Sequence, residues 1–83
     1  MADNLYSVET TAICPINKKQ DKYRVYIRSK KMIEVEKIKK VLLDMEKKQI
    51  FQEDLTELIS KKINAQVRLE GMHSGVFVRS IFP

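Results

Sequence analysis

One cysteine, Cys14, and an aspartate seven positions later, Asp21, are of a type and spacing suited to covalent chemistry. A cysteine becomes a soft nucleophile once it is a thiolate. Cys14 is followed by Pro15 and the polar stretch from Asn17 to Asp21. A hairpin turn there brings the two side chains together. The carboxylate does not make the thiol easier to ionise, because like charge opposes the thiolate. Its use is to move a proton to a nitrogen that the attack generates. Each residue also has an ordinary use. A lone cysteine serves as a small buried apolar group, and an aspartate in a turn caps backbone N–H groups.

A second acidic group, Gln52-Glu53-Asp54, opens a helical pattern. Carboxylates in a first helical turn are stabilised by the helix dipole, which is reason enough for them to be there. The same position also lets an ionised Glu accept two N–H bonds from the edge of a guanine-like base. His73 lies between two glycines and reads as an exposed turn residue. Lys30-Lys31 and the cluster Lys37, Lys39 and Lys40 read as solvated surface, or as contacts to RNA phosphates.

The elements that must hold these residues follow from periodicity. Tyr6 to Cys14 is rich in Thr, Val and Ile and reads as a strand. From Lys22 to Ser29, Tyr23, Val25 and Ile27 face one way, and Arg24, Tyr26 and Arg28 the other. These two strands pair as a hairpin. The period then changes to that of a helix, with Val35, Ile38, Val41, Leu42 and Met45 on one face. A second helix carries Phe51, Leu55, Leu58, Ile59 and Ile63, with Phe51 and Leu55 defining its buried stripe. Lys61 and Lys62 suit its last turn, and Asn64 its end. Val67–Glu70 and Val76–Phe82 are strands flanking a five-residue turn from Gly71 to Gly75. The order ββααββ predicts an α+β fold with two helices on one face of an antiparallel four-stranded sheet.

Bulk properties narrow the setting. With 83 residues the chain is expected to be a single domain, 1–83. A domain of this size buries only roughly 60–65% of its unfolded surface. One cysteine excludes an internal disulfide, and one His with one Cys is too few for a typical structural zinc site. No metal is expected, and added stability is expected from oligomerisation. The opening MADNLYSVE has no apolar signal-type stretch, and no apolar run approaches the ~20 residues that span a bilayer. The expectation is a cytoplasmic protein without membrane partners. A net charge of +5 favours an anionic partner such as nucleic acid.

Thr11-Ala12-Ile13-Cys14-Pro15 followed by Asp21 resembles the active-site stretch of the 7-cyano-7-deazaguanine (nitrile) reductase superfamily. There the cysteine forms a covalent thioimide with the nitrile and the aspartate donates a proton. Ile50-Phe51-Gln52-Glu53-Asp54-Leu55 resembles the family's Phe-His-Glu segment, whose Glu anchors the deazaguanine edge. The resemblance covers about Thr11 to Ser80. It implies the tunnelling fold (T-fold), catalytic roles for Cys14 and Asp21, and substrate-binding roles for Glu53 and Gln52. It also implies a homo-oligomer with active sites at subunit interfaces.

Two departures from the reductase pattern bear on the reaction. The NADPH-binding motif of Glu-Ser-Lys-Ser-Leu-Lys type reads here Glu34-Val35-Glu36-Lys37-Ile38-Lys39, with Glu36 in place of the first Lys. This loss resembles the QueF-like archaeosine synthase branch, amidinotransferases that add ammonia to 7-cyano-7-deazaguanine in tRNA. The resemblance implies tRNA or the free base as partner, ammonia as co-substrate and no cofactor. The second departure is Gln52, which stands where the family has His. Gln can hydrogen-bond but cannot change charge near neutral pH. The alternatives are an NADPH-dependent reductase of the same nitrile and a basic RNA-binding subunit that keeps the fold without catalysis.

Overall fold

The computed structural model describes residues 2–83. Its elements run β1 (Asn4–Ile13), β2 (Gln20–Ser29), α1 (Val35–Met45), α2 (Gln52–Ile63), β3 (Gln66–His73) and β4 (Val76–Phe82). The strands form one antiparallel sheet in the order β1-β2-β3-β4. One core joins the helices to a single face of that sheet. This is the ββααββ architecture expected from periodicity.

Alternation decides which face is covered. Tyr23, Val25 and Ile27 on β2 and Val67 and Leu69 on β3 are buried, while Arg24 and Arg28 point away and are exposed. Ile38, Leu42 and Met45 supply the buried stripe of α1, and Leu55, Ile59 and Ile63 that of α2. Burying a side chain such as Leu55 or Ile59 completely contributes about 1.5–3 kcal/mol. Asn64 ends α2 in the left-handed conformation (φ 61°), and its N–H donates to the Ser60 carbonyl at 2.7 Å. Lys61 and Lys62 occupy the last turn, as the dipole favours.

Three expectations change. The turn between β3 and β4 is only Ser74-Gly75, both at positive φ, a tight hairpin connection. Gly71, Met72 and His73 continue β3 instead. Val35 is 59% exposed and Phe51 is 52% exposed, so neither belongs to a buried stripe. Each stands at the start of its helix, Val35 as its first residue and Phe51 just before it, where the chain enters from solvent.

Candidate active site

A short backbone pairing sets the position of the site. The Ile13 N–H donates to the Lys48 carbonyl at 2.9 Å, and the Ile13 carbonyl accepts from the Ile50 N–H at 3.1 Å. These two bonds tie the connection between α1 and α2 to the end of β1. Cys14, the next residue, therefore meets the start of α2. The loop after it is equally constrained. The Cys14 N–H donates to the Lys19 carbonyl at 2.8 Å, and the Lys18 N–H to the Cys14 carbonyl at 2.9 Å. Lys18 Nζ donates to the Pro15 carbonyl at 2.7 Å and to Gln49 Oε1 at 2.9 Å, fastening the loop to the inter-helix connection.

Asp21 pairs with Ala12 in the β1–β2 register. Directly opposed residues point to the same face, and so do residues two apart on a strand. Asp21 thus shares the helix-covered face with Ala12 and Tyr23. Cys14, Asp21, Tyr23, Phe51, Gln52 and His73 are among the residues lining one cavity of about 240 Å³. Cys14 and Asp21, on either side of the hairpin loop, thus border the same cavity.

Gln52 has partners other than those expected of it. It is buried, and its Nε2 donates to the Leu69 carbonyl at 3.1 Å and to the Val78 carbonyl at 2.9 Å. Its Oε1 lies 2.7 Å from His73 Nε2. Its amide is therefore used within the chain, holding α2 to β3 and β4 and orienting a histidine. His73 Nδ1 faces Asp21 Oδ2 at 3.7 Å, longer than a hydrogen bond but within reach of an ion pair. The Tyr23 hydroxyl points to the same carboxylate oxygen at 3.5 Å. Burial pushes the Tyr23 phenol far above its ordinary value, and the negative charge of Asp21 adds to the shift. Tyr23 therefore stays protonated and can only present its O–H to that carboxylate.

Glu53 is exposed in the first turn of α2. It lines an adjoining cavity of about 430 Å³ with Phe51, Gln52, His73, Val78 and Ser80. Phe51, Gln52 and His73 line both cavities, so Glu53 stands next to the Cys14 site and not within it. Asp54, its neighbour, is exposed and borders neither cavity. Among the described residues no three His, Cys, Asp or Glu side chains gather as metal ligands, and no helix is long and apolar enough to cross a membrane.

Sequence reasoning missed His73. The signal was present: Ser74-Gly75 is a two-residue hairpin turn. Extending β3 up to it puts Val67, Leu69, Gly71 and His73 at alternate positions on the core face.

A crystal structure of "the archaeosine synthase QueF-Like in the apo form" matches this chain with a TM-score of 0.85 at 20% sequence identity. The match covers 99% of this chain and 92% of that one. No family model and no curated protein sequence matches the chain. At this identity the likeness establishes the fold, which is the tunnelling fold.

Proposed function

We propose that this chain is a QueF-like amidinotransferase that adds ammonia to the nitrile of a 7-cyano-7-deazaguanine base through a covalent thioimide on Cys14. The observation that carries the reading is the common cavity of Cys14 and Asp21, beside the start of α2. The fold likeness to an archaeosine synthase supports it.

In this mechanism Glu53 accepts the N–H groups of the pyrimidine edge and aims the nitrile at Cys14. The sulfur bonds to the nitrile carbon while Asp21 gives a proton to the nitrile nitrogen. Ammonia then adds to the thioimidate carbon, the C–S bond breaks, and a formamidine and free Cys14 remain. Splitting one difficult addition into two easier ones is the gain of covalent catalysis. No hydride is transferred, in keeping with Glu36 where the reductases have Lys.

The chain is proposed to work as a homo-oligomer. β1 and β4 are the outer strands of the sheet, and Leu5 on β1 and Phe77 and Ile81 on β4 are exposed apolar side chains. Open edges of this kind invite pairing with another copy. The positive charge supports tRNA as the carrier of the base.

Intact-mass measurement after incubation with 7-cyano-7-deazaguanine tests the reading. The expected result is an adduct of the mass of the nitrile, absent in Cys14→Ala, which stays folded. Added ammonia should release a formamidine. An amine formed with NADPH would instead establish the reductase. A parent protein without any adduct, binding RNA alone, would establish the non-catalytic subunit.

A further inference from the structure

We infer that His73 is a positioning residue that shares a stored proton with Asp21, in a tautomer dictated by Gln52. The inference deepens the proposed function and rests on it for the identity of the proton's destination. It begins from the amide of Gln52. Two backbone carbonyl oxygens, of Leu69 and Val78, lie at 3.1 and 2.9 Å from Nε2. Turning the amide over would set an oxygen against those two oxygens, so its orientation is decided by chemistry. Both N–H bonds of Gln52 are thereby used, and Oε1 can only accept.

Oε1 lies 2.7 Å from His73 Nε2. An acceptor at that distance requires a proton on Nε2. The remaining nitrogen, Nδ1, faces Asp21 Oδ2 at 3.7 Å. A bare Nδ1 against a carboxylate sets a lone pair against a negative charge. One proton between them removes that opposition, and the count is the same whether it is drawn on oxygen or on nitrogen. The other titratable groups that line the two cavities touched by His73 are Cys14, Tyr23 and Glu53. Tyr23 stays protonated and points its hydroxyl to Asp21. Glu53 lines only the adjoining cavity, which Asp21 does not border, so Cys14 is the group that exchanges a proton with the pair.

The proton balance closes over one turnover. As the S–C bond forms, the thiol proton of Cys14 enters the Asp21–His73 pair, and the pair gives one proton to the nitrile nitrogen. S–H and C≡N thus become S–C and C=N–H. When ammonia adds, a C–N bond forms and the C–S bond breaks. One ammonia proton passes through the pair to the departing sulfur. A histidine from β3 thereby handles charge beside a glutamine that cannot, and the fixed amide of Gln52 sets which nitrogen does so.

His73 is the only histidine of the chain, so its two nitrogens can be read directly by ¹⁵N NMR of the untagged protein. The parent should show Nε2 protonated, with Nδ1 protonated or sharing its proton. Asp21→Asn, close to isosteric, should leave a neutral ring protonated at Nε2 alone. A parent ring protonated at Nδ1 with bare Nε2, or one whose Nδ1 neither carries a proton nor accepts one from Asp21, overturns the inference whatever the activity. The second arm is the rate of thioimide formation. His73→Gln should slow it by about 10²–10⁴-fold, the range of general acid–base assistance. The nitrile concentration giving half-saturation should stay near that of the parent. A His73→Gln rate equal to the parent's also overturns the inference and leaves Cys14 as nucleophile. If the parent forms no adduct, the proposed function falls, and the NMR arm alone decides the proton pair.

Discussion

The ring of Tyr23 fills the space above Gly71, its cross-strand partner in the β2–β3 register. A Cβ built on Gly71 would stand 2.6 Å from Tyr23 Cδ1 and 2.7 Å from Cε1. Glycine is therefore required at this strand position by a neighbour's side chain and not by a turn. The same packing buries Tyr23 and leads its hydroxyl to Asp21.

Gly71→Ala should destabilise the protein by about 1–3 kcal/mol, the range for overpacking a filled core. Urea unfolding of the variant beside Gly75→Ala checks it. Gly75 has open space around it but φ of +85°, so alanine there meets only backbone strain, about 1 kcal/mol. Gly71→Ala should also weaken thioimide formation, because displacing Tyr23 disturbs Asp21, whereas Gly75→Ala should not. Two variants equal in both respects would show that Tyr23 moves aside freely.

Tyr23 also predicts an alkaline limit. Its folded-state pKa is raised, first by burial and then by Asp21, from an unfolded value of 10.0. Below that pH both states hold the phenol proton, and its contribution to stability is fully present. Above it the unfolded chain loses the proton first, so the folded state binds more protons and stability falls as pH rises. Denaturant unfolding of the parent should weaken progressively above about pH 10. Tyr23→Phe should be less stable at neutral pH for want of a hydroxyl partner to Asp21, yet flatter above pH 10. An equally steep decline in Tyr23→Phe would assign the alkaline limit elsewhere.

Gln52 joins fold to site, so its replacement should act on both. Gln52→Met keeps the length of the side chain and removes its two N–H donors and its acceptor. The Leu69 and Val78 carbonyls each lose a partner. Leaving buried polar groups without partners costs roughly 1–3 kcal/mol. The expected result is a lower urea midpoint with an unchanged slope, together with loss of the fixed Nε2–H tautomer of His73 by ¹⁵N NMR. A stable variant with the parent's tautomer would mean that His73 is held by something other than Gln52.

Local patterns made most of this legible, and distant contacts explain what they missed. The alternation of Tyr23, Val25 and Ile27 and the helical spacing of Ile38, Leu42 and Met45 report burial directly, because each face meets one environment. Cys14 and Asp21 flank one hairpin loop, so their proximity follows from spacing within a single turn. Gly71 misled, since glycine usually marks a turn, whereas here the requirement comes from Tyr23 on another strand. The role of Gln52 was hidden for the same reason. Its partners Leu69, His73 and Val78 are 17 to 26 residues away. His73, two residues beyond Gly71, belongs to the same strand and pairs with Val76.

The assignment of base recognition to Glu53 rather than Asp54 makes the sharpest prediction. The two are adjacent, acidic and exposed, and both sit in the first turn of α2. Neighbours on a helix point about 100° apart, so only one can face a given site. Glu53 borders the cavity that Gln52 and His73 share with the Cys14 site, and Asp54 does not. In the proposed mechanism the Glu53 carboxylate accepts two N–H bonds from the deazaguanine edge. Glu53→Gln turns one acceptor into a donor aimed at a donor. Losing a charged hydrogen bond of this kind costs roughly 1.5–3 kcal/mol, and about 1.4 kcal/mol is tenfold in affinity. The nitrile concentration for half-maximal thioimide formation should therefore rise at least ~10-fold in Glu53→Gln. Asp54→Asn should leave that concentration unchanged and lower stability by about 0.3–1 kcal/mol through the helix dipole. Titration of thioimide formation by intact mass separates the two. Saturation of Glu53→Gln at the parent's concentration, or a larger shift in Asp54→Asn, would remove Glu53 from the site.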